Sequence, residues 1–338
     1  MRNSITWLLV CGVLFGVASA EAGFLKKRNR DLKSADASTF EELGADASEY
    51  AGKLGAGDYR RTITVEGRER FYDLHVPESM PEGKPVALVF NFHGGGGRPL
   101  SQRNESLMDP VSDKHGFIVV YPAGSGIMKD KLLTWNIGMS DAFATKKNID
   151  DIAFVKAMLK DLKTIFKVDD RRIYSAGFSQ GAILSYKLAC EMSETFAAIA
   201  PVSGIMQVSP SDCNPTRPVS IIHFHGLADE NVVFEGGVGK EAIDKYDRPG
   251  VEQTLAFWRK VNGISDKVED TGGKGDASFE KYGPGKEGSE IILWKLDGCG
   301  HTWPGGQTTL AESVVGKMSR SITASELIWQ FFEKHPKK

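Results

Sequence analysis

From Pro85 to the C-terminus, continuous apolar runs alternate with segments of helical spacing, and this alternation constrains the fold more than any other feature of the chain. The runs are "PVALVFNF", "FIVVYP", "RIYSA", "FAAIAPVS", "PVSIIHFH" and "EIILWKL". They lack the in-and-out polarity of a half-exposed strand, so they suit strands covered on both faces. Between them, "DDIAFVKAMLKDLKTIF" sets Ile152, Val155, Met158, Leu159, Leu162, Ile165 and Phe166 on one helical stripe. "QGAILSYKLACEM", "VEQTLAFWRKV" and "TASELIWQFFEKH" read as further helices, the last with Thr323 and Glu326 at capping-box spacing. The alternation predicts an α/β fold with a mostly parallel central sheet and helices on both faces. Ahead of it, "RTITVEGRERFYDLHVP" alternates around Glu66-Gly67 and predicts an antiparallel hairpin at one edge.

The first twenty residues stand apart. Arg2, the run "ITWLLVCGVLFGV" and the small residues Ala18–Ala20 have the layout of a signal peptide cleaved before Glu21. The expected organisation is a signal peptide over 1–20, a polar linker over 21–57 with one short helix, and a single α/β domain over 58–338. Export puts the cysteines in an oxidising compartment. Cys11 leaves with the signal, so Cys190, Cys213 and Cys299 can form at most one intrachain disulfide. Cys190 at a helix end and Cys213 in a loop are the natural pair, with three free thiols as the alternative. A formal net charge of −2 gives no case for nucleic acid or an anionic membrane surface. No zinc-finger spacing or phosphate-binding glycine motif is present, and neither metal nor organic cofactor is expected.

"GFSQG" places Ser179 between Gly177 and Gly181, at the junction of a strand and a helix. In that setting the motif is a nucleophile elbow, with Ser179 forced to positive φ and both glycines needed for close packing. A reacting serine needs a base, and the base needs an orienting carboxylate. Asp229, just after "HFHG", and His301, in "GCGHTWPGG", follow in the order Ser, Asp, His, each past the end of a strand. An oxyanion needs fixed donors. The Gln180 N–H and a glycine of "HGGGG", Gly95 first and Gly94 next, are the candidates. His93 is expected to brace the glycine loop. His223 and His225 share a strand face, and His225 reads as structural.

With these residues assembled, the chain resembles the secreted α/β-hydrolases of the feruloyl esterase and polyhydroxybutyrate depolymerase-like group, carbohydrate esterase family one. The likeness rests on "NFHGGGG", "TWN", "DDIAF", "RIYSAGFSQGAILSYKLACE", "FAAIAPVSG", "HFHGLADENV" and "GCGHTWPGG". The resemblance implies an α/β-hydrolase fold, the triad Ser179, Asp229 and His301, and a Cys190–Cys213 disulfide. It also implies that Trp135 and Trp303 lie near the acyl pocket, with packing beneath the His301 loop the alternative for Trp303. The implied reaction is hydrolysis of feruloyl or acetyl esters of polysaccharide, or of related small esters. Polyhydroxybutyrate depolymerase activity is the alternative; a peptidase or a non-catalytic binding scaffold ranks below it. The expected partner is thus a small or polymer-borne ester, with no nucleic acid and no membrane after signal cleavage.

Overall fold

The computed structural model describes residues 40–338 apart from Glu82, Met139, Ile243 and Asp244. The expected signal peptide, Cys11 and the first part of the expected linker lie outside the described residues. The strands are β1 (Glu41–Glu42), β2 (Gly57–Val65), β3 (Arg68–Val76), β4 (Val86–Phe92), β5 (Ile118–Pro122), β6 (Val168–Phe178), β7 (Ala198–Val202), β8 (Ser220–Gly226), β9 (Asp270–Lys274), β10 (Ala277–Tyr282) and β11 (Ile291–Leu296). They form one sheet in the order β1-β2-β3-β5-β4-β6-β7-β8-β11-β10-β9. The six central strands from β5 across to β11 pair in parallel, and both flanking hairpins are antiparallel. This is the α/β-hydrolase fold.

The α-helices among the described residues are α1 (Pro99–Ser106), α2 (Met108–His115), α3 (Phe143–Lys146), α4 (Asp151–Ile165), α5 (Gln180–Glu191), α6 (Val251–Asn262), α7 (Glu312–Val315) and α8 (Ala324–Lys334). Strand β4 shows why its sequence is apolar throughout. Val86, Leu88 and Phe90 join Phe154, Val155, Met158 and Leu162 of α4 in one core. Ala87 and Val89 face the other way, into a core with Ile328, Trp329 and Phe332 of α8. Each fully buried large side chain contributes about 1.5–3 kcal/mol relative to exposure, so both faces of the strand favour this placement.

The edge hairpin turns at Glu66 (φ 49°) and Gly67 (φ 74°), the doubly positive pair that matches strand twist in a two-residue loop. Other expectations are corrected. Residues 40–57 do not form a free linker. β1 pairs with β2, and the expected helix is a single 3₁₀ turn over Ala47–Tyr50. The fully buried Arg61 holds this stretch by donating to the Gly44 and Ala45 carbonyls while pairing with Asp161 on α4 at 2.6 Å. The sequence reading also missed α1, α2 and the β9–β10 hairpin. Thr323 is the N-cap of α8 but its side chain makes no capping bond. Glu326, its expected partner, is drawn to Lys114 and His115 on α2.

Cys190 and Cys213 form the disulfide, tying the end of α5 to the loop before β8, and Cys299 is a buried free thiol. The bridge closes a segment of 23 residues. Cys213→Ser should lower stability by about 3 kcal/mol, because the unfolded chain gains the entropy that the cross-link had removed. Urea denaturation checks this: an unchanged midpoint would show that the loop is held by packing alone.

Candidate active site

Four of the parallel strands, β4, β6, β8 and β11, end at the same edge of the sheet, and each candidate residue lies just past one of these ends. Ser179 follows β6 and begins α5. Its backbone is at φ 54°, ψ −117°, a conformation that costs a residue with a side chain of order 1–3 kcal/mol. The neighbours hold it there. Its N–H donates to Val202 O at 2.9 Å, and its carbonyl accepts from Ala182 and Ile183. A Cβ on Gly177 would lie 2.4 Å from the Gly181 backbone, and one on Gly181 would lie 2.2 Å from Phe92 O. The two glycines therefore let the helix approach the strands closely enough to fold the serine sharply outward. Ser179 is half-buried.

Asp229 and His301 meet. His301 Nδ1 donates to Asp229 Oδ2 at 2.7 Å, leaving Nε2 as the lone-pair nitrogen. Asp229 Oδ1 also accepts the N–H groups of Asn231 and Val232, both at 2.9 Å. Burial alone would raise this carboxyl. The adjoining His301, its hydrogen bond and the Val232 N–H outweigh burial, and the net shift is downward. Asp229 is thus a buried carboxylate reserved in its charged form. The two loops are pinned together by the Ala228 N–H on Cys299 O, and Gly226 leaves room for that contact. His301 packs its ring on Phe178, the residue before Ser179, with centroids 4.7 Å apart. The Ser179 hydroxyl makes no hydrogen bond to His301 in this structure.

The glycine loop after β4 lies beside the start of α5. Gly95 is so close to Gln180 that a Cβ there would meet its side-chain amide at 2.8 Å. The Gly96 and Gly97 N–H groups are used within the fold, on Leu133 O and Gly94 O. The N–H groups of Gly94 and Gln180 have no acceptor among the described residues. His93 braces the loop: the Gly124 N–H donates to its Nε2, so its Nδ1 carries the proton and donates to Gly94 O. One participant was missed from sequence. Gln180 contributes its side chain as well, since Oε1 accepts the Trp135 N–H at 3.3 Å. The "DDIAF" and "TWN" motifs also explain each other: buried Asp151 accepts the Asn136 N–H at 2.7 Å and pairs with Arg70 at 2.8 Å.

Both tryptophans expected near the acyl pocket are buried. Trp135 is fully buried and donates its indole N–H to His93 O. Trp303 is buried beneath the His301 loop, donates to Ser325 Oγ, and borders a small cavity with His301 and Phe178. A larger cavity of about 860 Å³ lies between α5, the loop after β7 and α6, walled by Met206, Val208, Phe257 and Lys187 among others. Its β7-side wall springs from Gly204, whose Cβ would touch Ser179 O. Among the described residues, Asp58, His75 and Asp109 bring three potential metal-ligand atoms together. The Arg103 guanidinium already pairs with both carboxylates, so the cluster is an ion network with its cation in place.

Residues 72–213 match the family model described as Esterase PHB depolymerase. A protein named "Putative esterase NocK", from Nocardia uniformis subsp. tsuyamanensis, is 26% identical over 80% of this chain and 81% of its own length. Feruloyl esterase B of Piromyces equi is 28% identical over 67% of this chain, and the aligned part spans 41% of that longer protein. Among solved structures, the acetyl xylan esterase from Aspergillus awamori superposes with a TM-score of 0.51 at 16% identity, covering 72% of this chain and 94% of that one. That likeness is one of fold.

Proposed function

We propose that this chain, a carboxylic-ester hydrolase whose residues 72–213 match the Esterase PHB depolymerase model, is an exported serine esterase working through Ser179, His301 and Asp229. One observation carries the reading. A serine strained to positive φ follows a parallel strand, and the residue before it, Phe178, packs on a histidine whose Nδ1 proton is held by a buried carboxylate. His301 Nε2 takes the proton as Ser179 Oγ bonds to the ester carbonyl carbon. The N–H groups of Gln180 and of Gly94 or Gly95 face the resulting oxyanion, each worth about 3–4 kcal/mol in a comparable hydrolase. Collapse breaks the carbon–alkoxy bond, and the alcohol leaves with the proton from His301. Water then attacks the acyl-serine, gives its proton to His301, and releases the acid as Ser179 Oγ regains a proton. The Ser179–His301 hydrogen bond forms in the substrate complex, since catalytic hydrogen bonds tighten in the bound state.

The substrate class favoured is a feruloyl or acetyl ester of polysaccharide, in keeping with the relatives' names. The family model keeps poly-3-hydroxyalkanoate as the second reading. Export is supported by the disulfide, and no helix among the described residues is long and apolar enough to cross a membrane. A fluorophosphonate probe should add one covalent mass to the peptide containing Ser179. The same protein should hydrolyse p-nitrophenyl acetate and methyl ferulate faster than 3-hydroxybutyrate oligomers. Labelling elsewhere, with hydrolysis intact, would remove Ser179 from the reading. Faster release from the oligomers would exchange the substrate class.

A further inference from the structure

Behind the Asp229 turn lies a chain of buried polar side chains that the proposed reaction does not use. Tyr186 on α5 meets His223 Nδ1 at 2.8 Å, His223 Nε2 meets His225 Nδ1 at 3.1 Å, and His225 Nε2 meets Val232 O at 2.7 Å. All three side chains are fully buried, and the two imidazoles are stacked within 2° of parallel. His225 Nε2 also lies 3.7 Å from Asp229 Oδ2.

Hydrogen-bond valence fixes every proton along this chain. A carbonyl only accepts, so His225 must carry its proton on Nε2, toward Val232 O. With His225 neutral, its Nδ1 is a lone pair, and His223 must donate from Nε2. His223 Nδ1 is then the acceptor, and Tyr186 donates its hydroxyl proton. The reverse polarity would require a second proton on His225. It would also leave the Tyr186 hydroxyl proton without an acceptor, because that oxygen has no other partner among the described residues. A buried unpaired donor costs about 1–3 kcal/mol, so the phenol at the far end sets the direction of the whole chain.

We propose that Tyr186, His223 and His225 are positioning residues: a one-way hydrogen-bond chain that fixes the Asp229–Val232 turn and holds His225 neutral, so that the Asp229 charge serves His301 alone. The inference rests on the esterase reading above. Val232 is the hinge of the argument, since its carbonyl takes the end of the chain while its N–H holds Asp229 Oδ1. The charged and titratable groups around His225 are Asp229 and His301 on the two loops, His223 on its own strand, Tyr186 on α5, and Arg248, whose charge reaches Asp229. Burial pushes His223 well below the ordinary imidazole range, with His225 adding to it. Burial also lowers His225, against the pull of Asp229. Burial raises the Tyr186 phenol well above its usual value, so it stays a donor.

Tyr186→Phe removes the donor that sets polarity. The chain can then reverse, His225 takes up a proton beside Asp229, and the carboxylate is shared between two imidazoles. The expected result is a kcat lower by about tenfold with KM unchanged, and an acid limb of kcat/KM displaced to lower pH by about one unit. A loss of packing alone would lower thermal stability and leave the acid limb in place. Adding His225→Gln, which keeps an N–H for Val232 O but cannot take a proton, should return the acid limb to the parent position. An unmoved limb in the single variant, or a shift that persists in the double variant, overturns the proposal. Imidazole nitrogen NMR on the parent protein decides independently, even where Tyr186→Phe fails to fold. Both His223 and His225 should be neutral Nε2–H tautomers at neutral pH, and an Nδ1–H or cationic form at either overturns it. Failure of the esterase reading looks different: Ser179→Ala would then keep its activity whatever the tautomers.

Discussion

Ser179→Ala should lower kcat/KM for p-nitrophenyl acetate by roughly 10⁴- to 10⁶-fold. A residual rate above that of water alone should remain, because the glycine-loop and Gln180 N–H groups still stabilise the oxyanion. Stability should barely change. The hydroxyl makes no hydrogen bond that its loss would orphan, and alanine keeps the same backbone penalty at φ 54°. Ser179→Gly separates strain from chemistry. Glycine adopts that φ freely, so this variant should be equally inactive yet more stable by about 1 kcal/mol, after offsetting the extra entropy glycine loses on folding. Activity assays paired with urea denaturation on the three proteins test both statements. A Ser179→Ala protein with the parent rate ends the serine mechanism. A Ser179→Gly protein no more stable than Ser179→Ala means the elbow stores no strain.

What could be read from sequence divides along a physical line. The central strands were legible because burial on both faces removes polar residues, as in β4, where every residue but Asn91 is apolar. The meeting of Asp229 with His301 was legible because the order Ser, Asp, His that the proposed triad needs past strand ends survives in sequence. Strand β9, "DTGGK", was not legible: all five residues are exposed at the sheet edge, so its pairing with β10 comes from backbone bonds that leave no apolar signature. The short helices α1 and α2 carry a weak apolar pattern and owe their position to packing on α8 and the sheet. The Gln180 side chain and the Tyr186–His223 bond were hidden for another reason. Each joins residues 45 and 37 positions apart through one hydrogen bond, and no local spacing encodes such a meeting. The same holds for Glu326, which local pattern assigned to a cap and tertiary contact redirected to α2.

Gly181→Ala is expected to damage fold and activity together, and comparison with Gly95→Ala shows why. The added Cβ at Gly181 would sit 2.2 Å from Phe92 O, 2.7 Å from Phe92 C and 2.9 Å from His93 O. All three are backbone atoms at the end of β4, so no rotamer change relieves the clash, and α5 must withdraw from the sheet. Ser179 and the Gln180 N–H start that helix, so they move away from Gly94 and Gly95 with it. Overpacking of this kind costs about 3 kcal/mol, and a displacement of about 1 Å costs roughly 100-fold in rate. At Gly95 the new Cβ would instead meet the Gln180 side-chain amide, at 2.8–3.1 Å. That amide can swing aside by giving up one bond, from the Trp135 N–H at 3.3 Å. Gly95→Ala should therefore lose about 1 kcal/mol or less, while its rate falls through the disturbed oxyanion donors. Thermal melts and kcat for the two variants side by side decide the matter. Equal stability losses would mean that the helix does not bear on β4 as closely as the 2.2 Å contact requires. Parent activity in Gly95→Ala would move the second oxyanion donor elsewhere in the loop.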